Sequence, residues 1–102
     1  MARKSIQVDV AALAPDEPGA RPRVIALGEA KWGKIMGLRH LERLRRARDL
    51  LAVKKYDTEG ASLACCSGAG LDAELRAAAA SDSRIILVDL ARLYGMPGDQ
   101  TR

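Results

Sequence analysis

The sequence has few aromatic residues, few thiols and no long apolar segment. Aromatic residues make up 3% of the 102 positions, and phenylalanine is missing altogether. We therefore expect a core of leucine, isoleucine, valine and alanine. No run approaches the roughly 20 apolar residues that span a bilayer, and residues 1–5 do not resemble a signal peptide. The sequence predicts a cytoplasmic protein with no membrane segment.

The two cysteines, Cys65 and Cys66, are adjacent within an apolar run. Adjacent cysteines rarely bridge each other, and two thiols without histidine neighbours cannot complete a zinc site. We expect both to be reduced residues of a buried strand.

What is present is typical of a globular domain. Hydrophobic residues make up 48% of the chain and charged residues 29%, with a net charge of +4. We predict a single domain over residues 1–102, with a core at about 5–94 and a flexible tail at 95–102. The basic balance is compatible with a nucleic-acid partner.

Periodicity places strands and helices in alternation. Strands are predicted at 5–13, 23–32, 61–67 and 84–90, helices at 38–53 and 71–80, and a last helical turn at 90–94. Only a loop rich in proline and glycine joins the first two strands, which predicts an antiparallel pair. The later alternation predicts parallel strands with crossover helices. The fold class is therefore α/β, in the order β-β-α-β-α-β.

The sequence places an acid and a lysine two residues apart, at Glu29 and Lys31, on one face of the second strand. Asp9 lies on the preceding strand, so pairing of the two strands would bring its carboxylate beside that of Glu29. Two such carboxylates repel each other unless a cation lies between them. Hard oxygen ligands suit Mg²⁺ or Mn²⁺. We predict that Asp9, Glu29 and the carbonyl of Ala30 hold the metal.

A metal held there would polarise a phosphate oxygen and acidify a bound water. Lys31 would orient that water and stabilise charge in the transition state. Arg39, Arg43 and Arg46, at helical spacing, are predicted to contact a nucleic-acid backbone. A surface ion pair at Glu29 and a solvated arginine face are the alternatives that spacing alone leaves open.

Two further residues of this region need a prediction. Trp32 is expected to pack under the helix at 38–53, with base stacking as the alternative. His40 is expected beside Arg39 on the polar side of that helix, without a role as a general base.

Val8-Asp9-Val10 followed by Leu27-Gly28-Glu29-Ala30-Lys31-Trp32 resembles the C-terminal nuclease-like domain of a family of archaeal and bacterial ATPases. Residues 67–76 and 85–90 are similar to later parts of that domain, so the resemblance covers about residues 6–94. It implies membership of the PD-(D/E)XK nuclease superfamily. The implied fold is restriction-endonuclease-like, a mixed sheet flanked by helices. Asp9, Glu29 and Lys31 fall on the superfamily's catalytic positions.

The chain also departs from that family. In that family a helix and a strand normally precede the aspartate strand, and the ATPase module carries a phosphate-binding loop. This sequence shows neither the preceding elements nor the phosphate-binding loop. The nuclease core is therefore expected to be truncated at its N-terminus. Losing an outer strand exposes a sheet edge, which favours a homodimer.

Two functions remain open. The first is a Mg²⁺-dependent nuclease domain that hydrolyses DNA phosphodiester bonds, which retention of all three site residues favours. The second is a catalytically inactive module for nucleic-acid binding or dimerisation, derived from an ATPase C-terminal domain, which the truncation favours. A weaker third reading is a regulatory partner of a separate ATPase.

Overall fold

The computed structural model describes residues 8–93, which form four strands and three helices. In chain order these elements are β1 (Val10–Leu13), β2 (Val24–Lys31), α1 (Leu38–Val53), β3 (Ser62–Ser67), α2 (Ala73–Ser81), β4 (Ile85–Asp89) and α3 (Leu90–Leu93). Three predictions extend beyond the described residues: the first three positions of the strand at 5–13, the last position of the helical turn at 90–94, and the whole tail at 95–102. No described helix combines the length and the hydrophobicity that a membrane-spanning helix needs.

The strands form one mixed sheet in the order β1-β2-β3-β4. β1 and β2 are antiparallel, with Val10 opposite Gly28. β2, β3 and β4 are parallel, and Glu29 lies opposite Cys65. The predicted α/β class is confirmed. The narrower prediction of a restriction-endonuclease-like fold stays a prediction.

Both long helices cover the same face of the sheet. Because β2, β3 and β4 follow one another in a single direction, right-handed crossovers place α1 and α2 on one side, and the two helices contact each other. Apolar residues at helical spacing predict a buried stripe on α1, and Leu41, Leu44 and Ala47 of this stripe are buried. They pack on the inward side chains of the central strands, including Leu27 and Leu63, so the core lies in this single layer.

The opposite face of the sheet is built from small residues and carries exposed apolar side chains. Val10 is 59% exposed and Ile86 43% exposed. Gly28 and Ala64 lie between them across the sheet, and a Cβ added to Gly28 would stand 3.8 Å from that of Val10 and 3.5 Å from that of Ala64. Within residues 8–93, α1 and α2 leave this face uncovered.

Two details of the strands differ from expectation. The alternation in the first strand places Val8 and Val10 on one face, but Val8 packs against the core while Val10 is exposed. The chain bends at Asp9, just before β1 begins, and the bend separates the two side chains. The apolar first half of the second strand predicts burial on both faces, but Ile25 is 44% exposed. Ile25 is the residue skipped where the pairing of β1 with β2 passes from Ala26 to Val24.

Candidate functional site

Asp9, Glu29 and Lys31, predicted as a catalytic trio, line one pocket at the junction of β1 and β2. The pocket has a volume of about 230 Å³, and Val8 and Arg43 also line it. The three residues are separated by up to 22 positions in sequence, and strand pairing brings them together.

Backbone pairing fixes the position of Asp9. Its N–H donates to the carbonyl of Gly28 at 2.9 Å. Its side-chain Oδ2 accepts a hydrogen bond from the N–H of Ala30 at 2.8 Å. The carboxylate of Asp9 is therefore anchored to the backbone of β2 between Glu29 and Lys31, while the residue itself stays exposed.

Glu29 is the most unusual residue of the site, because it is an acid buried to 6% exposure. A buried carboxylate needs a partner, since desolvation strongly disfavours an isolated charge. Its Oε2 accepts a hydrogen bond from Nη2 of Arg43 at 3.1 Å and lies 3.5 Å from Nζ of Lys31. Glu29 Oε1 and Arg43 Nε are buried and have no hydrogen-bond partner.

This arrangement bears on the predicted metal. Two carboxylates and the Ala30 carbonyl are hard oxygen donors of the kind that Mg²⁺ and Mn²⁺ prefer, and the orphaned Oε1 of Glu29 is a free acceptor. The donor chemistry therefore fits such an ion. Among residues 8–93 no group of three or more His, Cys, Asp or Glu side chains is placed so that the side chains alone could hold a metal ion. Water or substrate oxygens would have to complete the coordination shell.

The three arginines predicted to bind nucleic acid share one surface of α1. Arg39, Arg43 and Arg46 line a second pocket of about 320 Å³ together with Glu42. Glu42 is itself paired with Arg45 at 2.9 Å, and this ion pair partly neutralises its charge. Arg43 lines both pockets and so connects the arginine surface with the carboxylate site.

The expectation that His40 lies on the polar side of α1 is wrong, since this residue is 3% exposed. Its ring turns back to the start of the helix, where Nδ1 accepts a hydrogen bond from the N–H of Gly37 at 3.1 Å. Burial lowers the pKa of His40; the charge of Glu29 opposes the shift and that of Arg43 adds to it. His40 is thus held neutral beside the site.

Cys65 lies opposite Glu29 in the sheet and is fully buried, and Cys66 is half-buried. Both are unbridged members of β3, as predicted. Burial raises the pKa of Cys65 to about 11, and the charge of Glu29 adds to the effect. At neutral pH Cys65 is therefore a protonated thiol rather than a reactive thiolate.

Sequence reasoning missed the role of Ser67 at the end of β3. Its buried hydroxyl donates to the carbonyl of Lys34 at 2.8 Å. It accepts from the N–H groups of Ala69 and Gly70 at 3.1 and 3.0 Å. One side chain thus ties the segment after β2 to the turn after β3. The serine-glycine sequence that follows a strand was the only signal of such a turn.

Trp32 does not pack under α1 as expected, because it is 53% exposed. Its ring lies against Gly68, where an added Cβ would come within 2.8 Å of Trp32 Cζ3. The backbone reinforces this approach, since the N–H of Gly68 donates to the carbonyl of Lys31 at 2.9 Å.

Asp9, Glu29, Lys31 and the arginine surface therefore form one continuous region on the β1–β2–α1 side of the molecule. Its chemistry combines anchored carboxylates with clustered cations. No protein-family model, no curated protein and no solved structure matches this chain.

Proposed function

We propose that the chain is a Mg²⁺-dependent nuclease domain that hydrolyses phosphodiester bonds in DNA. The observation that carries the proposal is the pocket that Asp9, Glu29 and Lys31 line together. A buried glutamate is costly to keep in a small domain, which favours a chemical role over a surface ion pair.

Each residue has a role in this proposal. Asp9, Glu29 and the carbonyl of Ala30 would hold Mg²⁺ or Mn²⁺, which polarises a phosphate oxygen and acidifies a bound water. Lys31, whose side chain is 38% exposed, is close enough to solvent to orient the attacking water. Its ammonium group would also stabilise the charge that develops on the phosphate.

The adjoining arginine surface supports a polyanionic substrate. Arg39 and Arg46 are exposed and lie on the same side of α1 as Arg43. Guanidinium groups bind phosphate oxygens without reading sequence, so they would position a DNA backbone across the pocket.

The test is a plasmid-cleavage assay with Mg²⁺ or Mn²⁺. We expect Glu29→Gln and Lys31→Ala to lose at least about 100-fold in cleavage rate, because each removes a group that acts on the reacting phosphate. Lys54→Ala, which removes an exposed lysine at the end of α1, is the matched control and should cleave like the wild type.

Circular dichroism of each variant establishes that the fold is intact. A well-folded wild type that leaves the plasmid uncut would refute the nuclease proposal, as would a Lys31→Ala variant that cuts at the wild-type rate.

The second candidate is a catalytically inactive module that binds nucleic acid or dimerises. The observation that favours it is the pairing of Glu29 with both Arg43 and Lys31, which balances the buried charge without a metal. Such a module would bind DNA equally well in EDTA and in Mg²⁺. A gel-shift titration under the two conditions, at matched ionic strength, separates it from a metal-dependent enzyme.

A further inference from the structure

Two basic side chains, Lys31 and Arg43, contact the buried carboxylate of Glu29. Lys31 belongs to the same strand and lies two positions away, at 3.5 Å. Arg43 reaches the same oxygen, Oε2, from α1 at 3.1 Å, across the layer between helix and sheet. The contact from Arg43 is the shorter of the two and the only one that meets hydrogen-bond geometry.

The pairing of Arg43 with Glu29 is incomplete on both sides. Arginine binds a carboxylate most strongly through two parallel hydrogen bonds. Here only Nη2 and Oε2 are joined, while Arg43 Nε and Glu29 Oε1 are buried without partners. Each unsatisfied atom carries a desolvation cost. The contact therefore has the form of an exchangeable pair rather than a permanent structural bridge.

We propose that Arg43 is the resident counter-cation of Glu29, and that a divalent metal ion must displace its guanidinium group to bind the carboxylate. This inference rests on the proposed metal-dependent nuclease function and adds what controls metal entry. The displaced side chain has a place to go, since Arg43 also lines the arginine pocket and is 38% exposed.

Competition between Arg43 and the metal for Glu29 predicts the direction in which the metal affinity changes when Arg43 is replaced. Removing the charge of Arg43 frees Glu29 for the metal, so the metal binds more tightly. The same change weakens the metal-free protein, because the buried carboxylate then keeps only Lys31 as its partner. A merely structural Arg43 would weaken the protein without improving its affinity for metal.

The experiment is calorimetric titration of Mn²⁺ into the wild type, Arg43→Gln and Arg46→Gln. We expect Arg43→Gln to bind Mn²⁺ at least about fivefold more tightly than the wild type. Arg46→Gln removes an arginine of the same surface that has no contact with Glu29 among the ion pairs of residues 8–93, and should match the wild type. The melting temperature of Arg43→Gln should be lower without metal and should rise more when Mn²⁺ is added.

The outcomes separate this inference from the function on which it rests. Equal Mn²⁺ affinities in the wild type and Arg43→Gln would overturn the displacement and leave the metal site standing. No binding in any of the three proteins would overturn the metal site and the displacement together.

A second measurement needs only the wild type and so does not depend on the variant folding. The arginine Nε–H signals are followed by nuclear magnetic resonance during a Mg²⁺ titration. Displacement requires the Arg43 signal to shift with the binding curve while that of Arg46 stays in place. An unchanged Arg43 signal at saturating Mg²⁺ would overturn the inference.

Discussion

At the scale of single residues, the region around Glu29 holds two side chains, His40 and Cys65, whose protonation depends on burial. Cys65 stays a thiol and His40 stays neutral because the helix–sheet layer excludes water from both. Glu29 keeps its place there through Arg43 and Lys31. A buried acid, a neutral imidazole and a thiol thus share one small region in which any change of charge affects its neighbours.

The neutral state of His40 predicts how stability depends on pH. Its pKa is lowered in the folded protein, so the unfolded chain binds a proton first as the pH falls. The stabilising contribution is present above about pH 6.5 and is lost on further acidification. We expect the urea concentration at the unfolding midpoint of the wild type to decrease as the pH is lowered from 7.5 to 5.

His40→Gln provides the comparison, because glutamine retains an acceptor for the helix start but cannot titrate. His40 is the only histidine of the chain, so the variant should show a flatter pH dependence over the same interval. An unchanged slope in His40→Gln would assign the pH dependence to other groups.

At the scale of elements, short backbone and side-chain links hold the carboxyl ends of the parallel strands together. Ser67 at the end of β3 binds the carbonyl of Lys34, and the N–H of Met36 donates to the carbonyl of Gly70 at 3.0 Å. Asp72 then caps α2 by accepting a hydrogen bond from the N–H of Leu75 at 2.9 Å. The turns after β2 and β3 therefore form one unit from which α1 and α2 begin.

Ser67→Ala should break this unit. The substitution leaves two N–H groups and one carbonyl without their partner in a buried position, which costs about 2–3 kcal/mol of unfolding free energy. Ser62→Ala, in the half-buried first position of the same strand, should cost less than about 1 kcal/mol. Urea denaturation of both variants measures the difference, and equal losses would show that the hydroxyl of Ser67 is not the link.

The sequence predicts the helices and strands more fully than it predicts the contacts within the pocket. Periodicity locates α1 to the residue, because an apolar stripe that includes Leu41 and Leu44 depends only on helical geometry. Alternation likewise identifies the two strands whose pairing brings Asp9, just before β1, close to Glu29. The burial of His40 and the reach of Arg43 to a residue 14 positions away depend on the distance between helix and sheet. Local pattern carries no information about that distance.

Asp89 makes a contact that the sequence alone does predict. Its position after an apolar strand predicts a helix cap, and its Oδ1 accepts from the N–H groups of Ala91 and Arg92 at 3.1 and 3.3 Å. A cap is a contact between near neighbours in sequence, so local chemistry suffices to predict it. The packing of Trp32 on Gly68 spans two strands, and sequence reasoning placed that ring elsewhere.

At the scale of the whole molecule, the two long helices α1 and α2 lie on the same face of the sheet. Its other face exposes Val10 and Ile86, and its outer strands are β1 and β4. Unpaired edges and apolar faces favour association. We propose that a second copy of the chain covers this face, in line with the homodimer expected from the sequence.

Val10→Lys and Ile86→Lys should each shift the protein from dimer to monomer, because a buried lysine at the interface would lack a partner. Val53→Lys, at an exposed apolar position at the end of α1, should leave the dimer intact. Sedimentation equilibrium measures the mass of all three variants. A wild type that sediments as a monomer of 11.0 kDa at high concentration would exclude this association.

The position of Trp32 has an optical consequence. It is the only tryptophan of the chain, and it directly follows Lys31 with its ring against the backbone at Gly68. Its emission spectrum therefore reports on one place, the junction of the turns after β2 and β3, beside the carboxylate pocket. Without any attached dye, the protein carries a fluorophore whose colour and intensity record the hydration of that junction.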